Sequence, residues 1–256
     1  MTLTLNQITL QPEWPAPKNI KAYTTLRTGG VSIAPYQAFN LADHVGDNAR
    51  LVEQNRQLLK NTLALPSDPI WLTQTHSTLV LPALPENQQK EADASYTHQA
   101  NQVCVVLTAD CLPIFLCHRN GTHVAAIHAG WRGLVNGVIE ATLMAMNLPN
   151  QELLAWLGPA IGPKAFEVGP EVREQFMQKY PAADVAFVPS PNHQRWLCDL
   201  YALAKLTLQK QGITDIFGGD YCTYSEPEKF YSYRRDGKES GRMASLIWIT
   251  DSRSHD

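Results

Sequence analysis

Two histidines and one cysteine are the residues of this chain whose types and positions best suit chemistry. His76, Cys111 and His128 each follow a short apolar run with the pattern of a buried strand. Two imidazoles and one thiolate supply three of the four ligands of a tetrahedral zinc, and a catalytic zinc keeps the fourth position for water or substrate. The three residues lie on separate segments, and no Cys-x-x-Cys pair is present. The pattern therefore argues against a small structural zinc module and predicts an open, reactive metal site.

Strands must position these residues, and the hydrophobic pattern predicts a set of them. Short runs rich in valine and isoleucine are typical of buried strands, and they occur at residues 21–26, 70–73, 102–108, 114–117, 123–128, 153–157, 213–217 and 246–249. Helices are predicted after a cap at Asp47, at 133–148, at 172–179, and from a cap at Asp199 to residue 211. Residues 81–91, with two prolines and two glutamines, are expected to form an exposed loop.

Strands and helices mix along the chain, but they do not alternate one for one. The pattern at residues 102–128 indicates consecutive strands with no helix between them, which favours a mixed α/β (α+β) sandwich over a doubly wound parallel sheet. The 256 residues contain no internal repeat and no low-complexity linker. Because this length is within the range of one domain, we predict a single catalytic domain over residues 1–256.

Composition excludes several classes of protein. A net charge of −3 leaves no basic surface of the kind that binds nucleic acid. No apolar stretch approaches the roughly 20 residues that span a bilayer, and the first residues lack the pattern of a secretory signal. The five cysteines are an odd number and form no secreted disulfide framework. We therefore expect a cytoplasmic enzyme with reduced thiols, without nucleic-acid or membrane partners.

Taken together, the motifs resemble those of one family, the YfiH-like proteins, also called multicopper polyphenol oxidase or laccase-domain proteins. The similarity extends over nearly the whole chain. The segments around Cys111 and His128 are the most specific in combination. The matching motifs lie at residues 27–32, 39–41, 44–47, 74–77, 108–113, 127–133, 157–162, 166–169 and 230–236.

The resemblance implies a four-layer α-β-β-α sandwich with a zinc ion bound by His76, Cys111 and His128. It further implies activity on purine nucleosides: phosphorolysis of inosine, adenosine and methylthioadenosine, and deamination of adenosine. A role in correcting peptidoglycan precursors is also attributed to bacterial members of the family. Purine nucleosides and phosphate are thus the expected partners, and a homodimer is an open alternative.

Phosphorolysis needs a site for the phosphate dianion, and arginine suits this task because its planar fork pairs with phosphate in two parallel hydrogen bonds. Arg27, Arg132, Arg234 and Arg235 lie in family-like motifs and are the candidates. Arg235 is the first choice and Arg27 the second, because both lie in loop-like segments flanked by glycine. Deamination needs a different group, and zinc lowers the pKa of a bound water to about 7.

Several residues have a functional and a structural interpretation. Asp110 either steers a proton and orients a metal ligand or is a turn aspartate bonded to backbone. Asn40 is a candidate for substrate binding through its motif, and His44 either forms the rim of a pocket or makes a structural hydrogen bond. Cys104 and Cys117 are expected to be inert core thiols. The histidines expected at the surface are His118, His123, His193 and His255.

Other functions remain open on the same residues. Cys111 could be a nucleophile with His128 as its base, as in a cysteine hydrolase or amidase that edits cell-wall precursors. The zinc could be structural in a binding module. A true laccase is disfavoured, because the chain has eight histidines and no His-x-His pair, too few for a blue-copper site and an oxygen-reducing cluster. Copper still fits the His₂Cys ligand set, because it binds such ligands more tightly than zinc.

Overall fold

The structure is a computed structural model that describes residues 5–251. Its strands are, in chain order, β1 (Thr9–Leu10), β2 (Ile20–Thr25), β3 (Val80–Pro82), β4 (Ala94–Thr97), β5 (Val103–Thr108), β6 (Leu112–His118), β7 (Val124–Ala129), β8 (Leu153–Leu157), β9 (Glu167–Val168), β10 (Phe187–Pro189), β11 (Trp196–Cys198), β12 (Ile216–Gly218) and β13 (Met243–Ile249).

The helices separate groups of strands rather than single strands. They are α1 (Leu5–Ile8), α2 (Ala49–Thr62), α3 (Trp131–Asn136), α4 (Val138–Met146), α5 (Pro170–Lys179), α6 (Leu200–Lys210) and α7 (Tyr233–Asp236). Short 3-10 helices lie at Pro85–Asn87, Asn150–Glu152, Pro181–Ala186 and Gly237–Glu239. Within residues 5–251, no helix is both long and apolar enough to span a lipid bilayer.

Two sheets form the centre of the fold. One has the strand order β1-β2-β13-β5 and is antiparallel. The other has the order β12-β8-β6-β7-β4-β3, with parallel pairs at its two edges and antiparallel pairs between them. A small third sheet, β10-β11-β9, lies apart from both in the strand pairing.

The alternation of side chains along the strands divides the core into layers. On β6, Phe115 and Cys117 pack in the layer between the two large sheets, whereas Ile114 and Leu116 pack against α3 to α6 on the other face. On β5, Val106 belongs to the layer between the sheets and its neighbours belong to the layer beneath α2. This period of two is what a strand buried on both faces requires. The predicted four-layer α-β-β-α sandwich is confirmed.

The link between β5 and β6 carries the chain from one large sheet to the other. It consists of Ala109, Asp110 and Cys111 only, and β5 pairs with β13 whereas β6 pairs with β7 and β8. Asp110 has a positive φ of 84°, a conformation that is uncommon for a residue other than glycine. Cys111 therefore lies at the junction of the two sheets.

Two local predictions are wrong because tertiary context decides them. Residues 70–73 do not form a strand and make only isolated bridges, Ile70 with Cys104 and Thr73 with Glu91. The predicted helix at 133–148 is divided into α3 and α4 at Gly137, whose φ of 104° ends the first helix. A left-handed backbone of this kind costs glycine little.

Two further expectations are corrected by hydrogen bonds. Asn48 rather than Asp47 caps α2, with its side-chain oxygen accepting the N–H of Arg50 at 2.9 Å. Asp47 instead accepts from the side chains of Ser32 and Asn40. The expected exposed loop at 81–91 contains part of β3, a 3-10 helix and the buried side chain of Asn87, which donates to the carbonyl of Pro82.

The prediction that His118 lies at the surface is also wrong. His118 is buried, and its ring contacts Glu152 Oε2 at 2.9 Å through Nε2. His255 lies outside the described residues. Cys104 and Cys117 are buried free thiols, as expected for core residues.

The layer between the sheets provides the first prediction. Phe115 is fully buried and its ring stacks on Trp156, with centroids 5.4 Å apart. We expect Phe115→Ala to lower the free energy of unfolding by about 3–5 kcal/mol, because the removed ring leaves a cavity that the sheets cannot close. Denaturant unfolding measures the loss. Met144→Ala, at a side chain 79% exposed, is the control and should change stability little. Equal losses in the two variants would contradict this account of the core.

Candidate metal centre and active-site cavity

His76, Cys111 and His128 meet at the edge of the sandwich. One ligand atom from each of them lies within 4.8 Å of the other two. The sulfur of Cys111 is 3.6 Å from His76 Nε2, and the two imidazole centroids are 4.9 Å apart. The predicted convergence of the three side chains is therefore confirmed. Such a group of two nitrogens and one sulfur could hold a metal ion.

Strand register explains why Cys111 and His128 lie near each other on one face of the sheet. In the β6–β7 pair, Pro113 lies opposite His128 and Leu112 opposite Ala129. Alternate positions of β7, Val124 and Ala126, pack in the layer between the sheets, so His128 projects into the same space at the end of its strand. Cys111 directly precedes β6 and continues the row of Phe115 and Cys117. The chain thus positions a thiol and an imidazole on neighbouring strands of one sheet.

Asp93 holds the loop of His76 in place and orients the imidazole of His128. Its buried carboxylate accepts a hydrogen bond from His128 Nδ1 at 2.7 Å. It also accepts the backbone N–H groups of Thr75, His76 and Ser77 and the hydroxyl of Ser77. These bonds hold the loop in which His76 has a positive φ of 61°. Because Nδ1 of His128 is occupied, Nε2 is the nitrogen left for a metal.

The sequence analysis did not find Asp93. Its signal in the sequence is weak, since it is an acidic residue directly before β4 that belongs to none of the recognised motifs. Only the pairing of β4 with β7, which aligns Ala94 with Ile127, brings it to His128.

Gly130 allows the three ligand side chains to approach one another. A Cβ atom at this position would lie 2.7 Å from Cδ2 of His76 and 3.0 Å from the sulfur of Cys111. Its φ of −65° is ordinary, so the requirement for glycine is one of space rather than of backbone conformation. The close contact of Gly130 with both ligands makes it part of the site.

The charges of the site are strongly coupled. Burial alone would raise the pKa of Cys111, but the positive charge and hydrogen bond of His128, followed by those of His76, lower it to about 6. Burial would lower the pKa of His128, but the Cys111 thiolate and the Asp93 carboxylate raise it to about 9. The hydrogen bond and charge of His128 and the bonds from Ser77 outweigh burial at Asp93 and lower its pKa to about 2. A thiolate beside an imidazolium is therefore the favoured state at neutral pH.

A cavity of about 540 Å³ opens over the three ligands. This volume is in the range of small-molecule sites. Part of its wall is apolar, formed by Leu107, Ile161, Phe166 and Leu200. Another part is cationic and carries the side chains of Arg132, Arg234 and Arg242.

The two arginines preferred from the sequence lie outside this wall. The guanidinium of Arg235 donates hydrogen bonds to the carbonyls of Thr223, Tyr224 and Phe230 and to the carboxylate of Asp236. Arg27 donates to the carbonyls of Gln37 and Pro227 and lies over the ring of Tyr231. The structure therefore gives both side chains roles in holding loops. A loop-like sequence does not determine where its side chains point.

Arg132 and Arg234 do line the cavity, as does Arg242, which the sequence analysis missed. Arg132 is exposed and lies over the ring of Trp131, with its guanidinium carbon 4.4 Å from the centroid. Arg234 is exposed and lies 5.4 Å from the centroid of Phe166. Neither guanidinium forms a hydrogen bond or an ion pair with residues 5–251 of the chain.

The remaining candidates divide between the cavity and its support. His44 lines the cavity at its exposed rim and lies 3.5 Å from Asp43. Asp110 also lines it, but its carboxylate accepts from Thr223 Oγ1, Ser232 Oγ and the N–H of Arg234. It therefore fastens the segment that carries Arg234. Asn40 is fully buried, does not line the cavity, and bonds to Ala42, Asp47 and Arg242.

Comparison with known proteins places this geometry in context. Residues 21–250 match the family described as multi-copper polyphenol oxidoreductase laccase. A Haemophilus influenzae protein named purine nucleoside phosphorylase is 52% identical over 241 residues, which cover 94% of this chain and 98% of that protein. The Escherichia coli protein named purine nucleoside phosphorylase YfiH is 52% identical over 239 residues, covering 93% and 97%.

Two crystal structures show the same architecture. A Neisseria meningitidis protein of the DUF152 family matches with a TM-score of 0.91 at 47% identity, covering 95% of this chain and 99% of that one. The Bacillus licheniformis protein YfiH matches with a TM-score of 0.87 at 25% identity, covering 95% and 97%.

The packing at Gly130 gives a second prediction. Gly130→Ala should weaken metal binding on the order of 10- to 100-fold, as changes to residues that support metal ligands do, because the new methyl group displaces His76 and Cys111. Competition with a chelating dye measures the affinity. Gly169→Ala is the control, since its φ of −79° is ordinary and its Cβ would meet only the flexible side chain of Glu171. Unchanged affinity in the Gly130 variant would contradict the steric argument.

The coupled charges give a third prediction. In metal-free protein, alkylation of Cys111 by iodoacetamide should fall as the pH decreases through about 6, where its lowered pKa places the loss of thiolate. An ordinary cysteine loses reactivity near pH 8.5. Cys104 and Cys117, whose pKa burial raises to about 12, should stay unmodified in the folded protein. Peptide mass mapping follows each thiol. A Cys111 rate that rises only above pH 8 would show that His128 does not stabilise the thiolate.

Proposed function

Because the chain belongs to the multi-copper polyphenol oxidoreductase laccase family of YfiH-like proteins, we propose that it is a zinc-dependent purine nucleoside phosphorylase. The proposed substrates are inosine, adenosine and S-methyl-5′-thioadenosine, and the products are the free base and the sugar 1-phosphate. Adenosine deaminase activity at the same cavity is part of the proposal, as is a cytoplasmic setting with reduced thiols. The names of the relatives support the phosphorylase assignment.

One observation carries the proposal: a single cavity combines the His76, Cys111 and His128 group with an apolar wall and three arginines. The donor set fits zinc, because the Cys111 thiolate and the free nitrogens of the two imidazoles are ligands that zinc prefers. Zinc held there would act as a Lewis acid and lower the pKa of water at the site. The same three donors would also accept copper.

Phosphorolysis replaces the bond between C1′ of the ribose and N9 of the purine. A phosphate oxygen forms the new bond to C1′, and the purine leaves with the electron pair of the old bond and takes a proton from solvent. The residues of the cavity would bind both partners: the guanidinium groups of Arg132, Arg234 and Arg242 suit the phosphate, and the apolar side chains around Phe166 suit the flat face of the purine.

Deamination uses water instead of phosphate. Water adds its oxygen to C6 of adenosine, ammonia leaves, and inosine is the product. Asp93 and His128 serve this reaction by keeping the ligand group in one orientation, since the imidazole cannot rotate while Nδ1 donates to the carboxylate. The two activities therefore share the ligand group but differ in their need for the arginines.

A second function is favoured by a specific observation. Cys111, His128 and Asp93 have the order of a nucleophile, a base and an orienting carboxylate, which suits a cysteine hydrolase or amidase acting on cell-wall precursors. The metal content of protein purified without chelators separates the two. One tightly bound zinc per chain supports the phosphorylase, whereas metal-free protein that cleaves amides supports the hydrolase.

A multicopper laccase is not supported by the ligands. Among residues 5–251, a single group of three or more metal-binding side chains is found, at His76, Cys111 and His128. A blue-copper site and a separate cluster for oxygen together require more ligands than this. The family description therefore does not extend to that chemistry here.

The fourth prediction tests the proposed function directly. The wild-type protein, incubated with inosine or adenosine, should release free base only when phosphate is present, and it should convert adenosine to inosine with or without phosphate. Cys111→Ala should abolish both reactions and weaken zinc binding while circular dichroism shows the fold retained, because two neutral imidazoles hold zinc less firmly. Separation of bases and nucleosides by chromatography measures both.

Cys104→Ala is the matched control, since it removes a buried thiol outside the cavity. It should lower the midpoint of thermal unfolding and leave both reactions intact. Wild-type turnover in Cys111→Ala protein without zinc would show that the metal is not catalytic. Absence of any phosphate-dependent release in the wild type would refute the phosphorylase.

A further inference from the structure

Arg242 lies beside the ligand group because β13 pairs with β5. It immediately precedes β13, and Met243 at the start of β13 pairs with Thr108 at the end of β5. The next residues after Thr108 are the link that leads to Cys111. Arg242 is therefore adjacent to this link, and its side chain lines the cavity.

The position of Arg242 is fixed at both its backbone and its side chain. Its N–H donates to Asn40 Oδ1 at 3.0 Å, and its carbonyl accepts from the N–H of Leu41 at 3.4 Å. Its Nη1 donates to the carbonyls of Ser240 and Gly241 at 2.6 and 3.0 Å. A guanidinium held in this way loses little freedom when it binds a ligand. Arg132 and Arg234 are exposed and lack such bonds.

Among the residues that the structure describes, the charge of Arg242 has no carboxylate partner. Other shielded arginines have one, since Arg56 contacts Asp43 at 3.4 Å and Arg235 contacts Asp236 at 2.7 Å. Within residues 5–251, Arg242 forms no ion pair, and its Nε and Nη2 donate to no protein acceptor. Burial lowers its pKa, and the charges of Cys111 and Asp110 only partly offset this effect. A shielded cation with two parallel N–H donors unused is suited to a bidentate anion.

We propose that Arg242 is the fixed anion-binding residue of the cavity and receives a phosphate dianion on the edge formed by Nε and Nη2. Arg132 and Arg234, which are exposed at the rim, add charge around the bound anion. Asn40 acts through Arg242 as a positioning residue, because its amide holds the backbone of that arginine. The assignment rests on the proposed function, since phosphorolysis is what requires phosphate here.

An alternative role for Arg242, in stabilising the Cys111 thiolate, predicts a different experimental result. Its charge also faces Cys111, so it could serve only to stabilise the thiolate. In that case its removal would shift the pH at which Cys111 is alkylated and lower the zinc content, with no specific effect on phosphate. In the proposed role, phosphate affinity changes while zinc content and the alkylation profile stay near those of the wild type.

The fifth prediction measures binding of inorganic phosphate to the zinc-loaded protein, without nucleoside, by calorimetric titration at constant ionic strength. Arg242→Gln should weaken phosphate binding about 10- to 100-fold, the effect of losing a charge-assisted bidentate contact. Arg242→Lys keeps the charge but not the fork, so its loss should be intermediate. Arg50→Gln, at an exposed residue of α2, removes the same charge and should have no effect.

The results separate this assignment from the proposed function. Phosphate binding that depends on Arg242 in a protein with no nucleoside turnover would support the anion site and refute the phosphorylase. Unchanged phosphate affinity in folded Arg242→Gln and Arg242→Lys would overturn the assignment. So would a loss of affinity accompanied by equal loss of zinc or by a shifted alkylation profile. If Arg242→Gln does not fold, Arg242→Lys decides the question alone, since a change in its phosphate affinity is still expected.

Discussion

The candidate site depends on one buried carboxylate. Asp93 is shielded from solvent and is satisfied by the imidazole of His128, by the consecutive N–H groups of residues 75–77 and by the hydroxyl of Ser77. A buried charge is tolerated only where partners compensate for it. The loop that carries His76 and the strand that carries His128 are therefore anchored to the same group. The spacing of the two imidazoles therefore depends on this one carboxylate.

Much of the architecture could be predicted from the sequence, because its buried strands are coded by short apolar runs. The strand at residues 153–157 agrees with β8, and the helix predicted from the cap at Asp199 to residue 211 agrees with α6, which Asp199 caps and which ends at Lys210. Secondary structure predicted from the local pattern was wrong where contacts with distant residues determine the conformation. Residues 70–73 have the composition of a strand but find only single bridges. Gly137 interrupts a helical pattern that continues on both sides of it.

The residues of the site likewise divide into those that local motifs reveal and those that only strand pairing brings to the cavity. His76, Cys111 and His128 could be found from the sequence because histidine and cysteine are uncommon residues that often bind metals, and because all three lie in specific motifs. Asp93 and Arg242 could not, since an aspartate or an arginine is common and only strand pairing brings these two to the cavity. The loop-like context of Arg235 and Arg27 made them the first candidates, but the guanidinium groups of both donate hydrogen bonds to backbone carbonyls. Side-chain direction in a loop depends on which carbonyls lack a partner, and sequence does not encode that locally.

The passage of the chain between sheets at Ala109 to Cys111 has a consequence for how the site assembles. Cys111 directly precedes β6 and His128 lies in β7, both strands of the six-stranded sheet, whereas Arg242 directly precedes β13 of the four-stranded sheet. Either sheet formed alone holds only part of the site. Arg242 joins the metal ligands only when the two sheets dock, whereas Arg132, in α3 directly after β7, needs only the six-stranded sheet. Completion of the sandwich is thus the event that creates the reaction space.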